Sequence, residues 1–160
     1  MTTIDPVTLV MAAIVLGAFA LPFILFSIKN KKKKSQLLRD FQTLSKTESP
    51  WDIQDMWRNQ YMIALSTGTK TFHYYKAGDN SLFHSFFLGD VRDVQVKTKS
   101  RELSTKEGKH TVIDEIGLSV SFPDQPSVYL EFFNQEDFTD LVGESVLAEK
   151  WGQLLKNQIC

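Results

Sequence analysis

The chain has 160 residues, 12 Phe, three Trp and a net charge of −1, a size for one ordinary domain and a balance with no basic footprint for nucleic acid. Its single cysteine, Cys160, allows no intrachain disulfide and suits a reducing compartment. The charge is unevenly placed: five of the 18 basic residues precede Ser35 against one of the 19 acids, which leaves the rest 13 basic and 18 acidic, a net of −5.

Residues 1–6 carry no Lys or Arg. Residues 7–28, VTLVMAAIVLGAFALPFILFSI, are 22 residues without a charge. As a helix they rise about 33 Å, enough for the ~30 Å hydrocarbon layer of a bilayer. Residues 29–34 follow with Lys29, Lys31, Lys32, Lys33 and Lys34, a stop-transfer cluster that biases this side toward the cytoplasm. A secretory signal would have a basic start and a shorter apolar core. The expectation is a single-pass protein of the cell membrane, with residues 1–6 outside and the remainder cytoplasmic. Ala13 and Gly17 have the small-xxx-small spacing that lets spans pack, so a homo-oligomer stays open.

Residues 35–56 read as a helical linker. Leu37, Leu38, Phe41 and Leu44 lie at helical spacing, continuous with the span or docked elsewhere. Ser49 and Pro50 suit an N-cap and first helical position, with a turn or two through Met56. From residue 57 the period becomes two. Trp57, Tyr61, Ile63 and Leu65 share one face before a turn at Gly68, and residues 71–76 and 82–88 supply two more strands around Gly78. Val94 and Val96 alternate with Asp93, Gln95 and Lys97 in a half-exposed strand. Residues 98–110 read as a polar loop, and two strands follow, through Phe122 and through Phe132. Asn134 is placed to cap a final helix, which Gly143 bends, and Trp151 lies at its centre.

These elements predict an N-terminal transmembrane helix and, over residues 57–160, an α+β domain. Its curved antiparallel sheet or small barrel has six strands, with a seventh in residues 104–112 or before Trp57, and the C-terminal helix caps it. Strands of the type YMIALSTGTKTFHYY, SFFLGDVRDVQV, GLSVSF and VYLEFFN, followed by one helix with a central aromatic, resemble the pleckstrin-homology-like (PH-like) fold. More narrowly, the chain resembles small bacterial membrane proteins with one anchor and a PH-like cytoplasmic domain. The resemblance implies a binding or scaffolding module with no catalytic residues. Lipid-binding PH domains hold phosphate with basic residues near the first hairpin. Here residues 66–71 offer only Lys70, so phosphoinositide binding is not expected.

No catalytic, metal or cofactor set is evident. His73 and His84 sit in neighbouring strands without the third and fourth ligands that zinc needs. Gly68, Gly78, Gly89 and Gly108 stand singly, not in a phosphate-binding loop. The basic residues of 97–110 are a solvated loop or a contact for headgroups or an acidic protein. The strand and loop carrying Val94, Val96, Lys97, Lys99, Arg101, Lys106 and Lys109 are the best candidates for a partner-facing edge. Two functions stand: a non-enzymatic interaction module with a protein partner at the bilayer, or a carrier of lipid or another small apolar ligand in a barrel cavity.

Overall fold

The computed structural model describes residues 6–46, 51–105 and 108–159. α1 (Pro6–Ser45) is one helix of 40 residues, about 60 Å long. The apolar run, the lysine cluster and the Leu37–Phe41 stripe are parts of a single rod. Pro22 lies within it. The described large apolar side chains of residues 7–28 are 46–73% exposed among the described residues. By length and composition this helix can cross a membrane.

Seven strands and a second helix follow. β1 (Ile53–Trp57), β2 (Tyr61–Ser66), β3 (Thr71–Lys76) and β4 (Leu82–Phe87) form one antiparallel sheet in chain order. A short 3-10 turn, Leu88–Asp90, leads to the second sheet, β5 (Asp93–Thr105), β6 (Gly108–Ser121) and β7 (Val128–Asn134). α2 (Glu144–Ile159) ends the domain. The layout is α+β. The strands form two separate sheets, and their pairing does not close a barrel.

Three expectations change. The helical turn through Met56 is instead β1, and it supplies the seventh strand; Ser49 and Pro50 lie outside the described residues. Over five residues the two periods are hard to tell apart. In β1, Ile53 and Trp57 turn to one core and Met56 to the other. The expected loop 98–110 is a continuation of β5 and β6, which pair from Asp93↔Ser121 to Thr105↔Gly108. The final helix starts at Glu144 rather than beside Asn134. Asn134 still caps locally, its Oδ1 accepting from the Glu136 amide at 3.0 Å. Gly143, at φ +85°, takes a left-handed conformation that suits glycine just outside the helix.

β2 is buried at every position because it is covered on both faces. Tyr61, Ile63 and Leu65 join Phe72, Tyr74, the second sheet and α2 in the main core. Met62 and Ala64 point the other way and meet Leu37 and Phe41 of α1, with Tyr75, Trp51 and Phe83 around them. The first sheet is thus sandwiched between α1 and the rest of the domain. Trp151 is fully buried, as its place in the helix stripe predicts. Asp55 Oδ2 accepts from Trp151 Nε1 at 2.7 Å and from Lys150 Nζ at 2.6 Å, so the indole's one polar atom is satisfied. α2 comes close to the second sheet at Gly152, where a Cβ would lie 3.0 Å from Val96 Cγ2.

Candidate functional site

The β5–β6 hairpin outruns its sheet. β7 pairs with β6 only as far as Glu115↔Asn134, and beyond the register shift at Lys99/Ser100 the two strands pair with each other alone. Residues 100–105 and 109–113 therefore belong to a two-stranded arm to which, among the described residues, no third strand pairs. At its base Ile113 packs on the main core, and toward the tip the described side chains are exposed on both faces. Edge strands of this kind accept a further strand.

The expected partner-facing residues divide in two. Val94 is fully buried in the main core, and Val96 packs half-buried against the same core and α2. They hold β5 in place and offer a partner backbone groups, not side chains. Lys97, Lys99, Arg101 and Lys109 are exposed. Lys106 lies outside the described residues. Lys99 pairs with Glu115 at 3.0 Å, Arg101 with Asp114 at 3.2 Å and Lys109 with Glu102 at 3.7 Å. Arg101 also donates to Gln135 Oε1. The Glu115 carboxylate raises the Lys99 ammonium pKa. These pairs stand in solvent, where such contacts contribute little, so a partner carboxylate can replace them. Together, Lys99, Arg101, Asp114, Glu115 and residues 134–136 line a shallow concavity of about 440 Å³. Beside it, the Tyr129 hydroxyl is pushed up to about 12 by burial and the charge of Glu115.

A second concavity, of about 570 Å³, lies where α1 meets the domain. Lys33, Gln36, Leu37 and Asp40 line one wall, and the β1–β2 and β3–β4 turns line the other. Arg58 and Asn59 sit at φ +55° and +51°, the two left-handed positions of a tight hairpin turn. From that turn the Arg58 guanidinium donates to Glu144 Oε1 at 2.5 Å and to the Asp140 carbonyl at 2.5 Å. Burial works against the Arg58 charge, but Glu144 and Asp140 outweigh it and raise its pKa. Glu144 itself is buried, and its other oxygen accepts from the Val142 amide. Nearby, Lys76 Nζ bridges Glu131 at 2.6 Å and Asp137 at 3.1 Å. Glu131 Oε1 also accepts from the Tyr61 hydroxyl, whose pKa burial and that carboxylate push upward. These contacts tie the β1–β2 turn to the start of α2, and β2 and β3 to β7. The Asn in the sequence Trp57-Arg-Asn-Gln-Tyr61 is the signal for the turn; the partners of Arg58 have no local signal.

His73 and His84 do not come together. The register sets Tyr74 opposite His84 and His73 opposite Ser85, so the two imidazoles lie on opposite faces of the sheet. His73 packs on Phe41 and Phe83, His84 on Tyr74, and burial lowers both pKa values. Among the described residues no three His, Cys, Asp or Glu side chains form a metal-binding group. Lys70 is on the second hairpin, not the first, because β1 precedes it, and it reaches the Gln158 carbonyl at the C-terminal end of α2. Lys29 and Lys31 to Lys34 are exposed along α1. No family model, curated protein or solved structure matches the chain.

Proposed function

We propose that the protein is a single-pass, membrane-anchored interaction module. Its N-terminus is outside, and its PH-like domain is held at the cytoplasmic face without enzymatic activity. One observation supports this most strongly. The exposed apolar rod continues unbroken into a helix face docked on the domain through Leu37 and Phe41. Such a chain presents its domain at a set height and orientation below the bilayer. The partner is a protein, which adds a strand to the free edge of the β5–β6 arm and meets Lys97, Lys99 and Arg101 with acidic side chains. A bilayer is a poorer match for residues 35–160 as a whole, which carry a net charge of −5.

The carrier reading is the weaker one. Ligand cavities for apolar molecules have mainly apolar walls, whereas both concavities described above are lined chiefly by charged and polar side chains. The space between the sheets is filled by Phe72, Tyr74, Leu118, Phe132 and Trp151.

The test compares two baits, the 35–160 fragment, which keeps Leu37 and Phe41, and a version with Lys97, Lys99, Arg101 and Lys106 neutralised. Each is offered native membrane extract and pure anionic vesicles. The expected result is retention of a defined protein from the extract by the first bait, loss of it by the second, and weak vesicle binding by both. Tight vesicle binding with no protein captured would favour a peripheral lipid-binding domain instead.

A further inference from the structure

The network around Arg58 orients the domain with respect to α1. Lys33 and Gln36 face the β1–β2 and β3–β4 turns, whereas Phe41, farther along the rod, meets Trp51, His73 and Phe83. Those two turns therefore mark the end of the domain nearer the apolar run. Arg58 ties the Asp140–Glu144 segment to the same end. α2 consequently begins on the bilayer side and runs away from it. Its last turn reaches Lys70 in the β2–β3 turn, which is at the far end with β4 Phe86 and Phe122.

The exposed apolar residues are not scattered evenly over this frame. Outside α1, the described ones are Leu82, Phe87, Leu103, Tyr129, Leu141, Val142 and Val146. Val142 and Val146 are the most exposed of them, at 68% and 74%. Together with Leu141 they cluster within six residues at the start of α2, at the bilayer-facing end. Leu82, next to the β3–β4 turn, is at that end too. Of the neighbouring acids, Asp140 pairs with Arg58 and Asp137 with Lys76, while exposed Glu149 lies one turn farther along α2 from Val146. Clustered exposed apolar surface rimmed by polar residues marks an interaction site.

We propose that Leu141, Val142 and Val146 rest in the headgroup–acyl boundary of the same bilayer that α1 crosses. The proposal rests on the anchor reading above. Lys33 lies about 7 Å beyond Ile28 along the helix, level with a headgroup layer ~5–7 Å thick, so the rim beside it is close to lipid. Three side chains are too few to hold a free domain on a membrane. Tethering by α1 makes the contact intramolecular, and a weak contact then suffices. The domain is thereby held at two points and cannot swivel about its anchor.

The experiment uses the full chain with Cys160→Ser and one reporter cysteine at a time, at Phe19, Val142 or Asp124, each carrying an environment-sensitive fluorophore. The protein is reconstituted into phosphatidylcholine–phosphatidylglycerol vesicles holding nitroxide-labelled lipids. Expected are several-fold quenching at 142 by shallow nitroxides, quenching at 19 by deep ones, and none at 124 on the far turn. Adding V146D beside the reporter at 142 should relieve most of its quenching. A reporter at 142 that behaves like 124 while 19 is quenched overturns the lipid contact, as does quenching that V146D leaves unchanged. A reporter at 19 that no nitroxide reaches overturns the anchor itself.

Discussion

Trp151 shows how one residue serves two layers. Its ring fills the space between α2, both sheets and Phe72, and its Nε1 is answered by Asp55 on β1. Trp151→Ala should cost about 3–5 kcal/mol, as truncation of a large core side chain does. It also leaves Asp55 with Lys150 alone. Urea unfolding of the 35–160 fragment measures this, and an unchanged midpoint would remove Trp151 from the core. The residue itself was legible: it sits in a stripe with Leu147, Ala148, Leu154 and Leu155 at helical spacing. Its hydrogen bond was not, because Asp55 is 96 residues away and lies in a strand with no clear period. The same holds for Glu144, a buried carboxylate that only Arg58 explains.

At the scale of elements, α1 and the arm behave oppositely. α1 changes environment along its length without breaking: exposed and apolar, then charged, then buried on one side at Leu37 and Phe41. Phe41 is fully buried against Trp51, with ring centroids 4.8 Å apart, and carries most of that docking. Phe41→Glu should release the helix from the sheet while leaving the main core intact. Spin labels at Lys32→Cys and Asp124→Cys, in a Cys160→Ser background, should give one narrow distance distribution that the substitution broadens several-fold. A distribution unaffected by Phe41→Glu would mean that other contacts set the angle. The arm packs only at its base, where Ile113 meets the main core. Its strands are held by ladder hydrogen bonds and by exposed ion pairs, the form of sheet least stable in isolation. It therefore reads in sequence as a loop, since a periodic apolar signal requires a buried face.

The whole molecule is asymmetric in charge, with five lysines beside an uncharged apolar run and a net of −5 over residues 35–160. Lysine asymmetry of this kind sets orientation. Cysteines at Thr3 and Ser104, again with Cys160→Ser, should respond differently to an impermeant maleimide on intact cells: position 3 labels and position 104 does not. Labelling of 104 alone would invert the topology and with it the surface available to a cytoplasmic partner.

What the sequence by itself determined is whatever depends on neighbours along the chain. The span follows from an unbroken apolar length, its orientation bias from adjacent lysines, most strands from alternation, and the last helix from a stripe centred on Trp151. Tertiary structure decided the rest. β1 became a strand because Ile53 and Trp57 find one core and Met56 the other, a choice that five residues cannot make alone. The strands divided into two sheets of four and three because β4 and β5 are joined through a 3-10 turn without pairing. The helix after the lysines became part of a rod because Met62, Ala64 and Tyr75 of the sheet's outer face needed cover. The start of α2 was placed beside the β1–β2 turn by Arg58, whose partners lie 82 and 86 residues away. Contacts that distant leave no local periodicity, and only a folded chain brings them together.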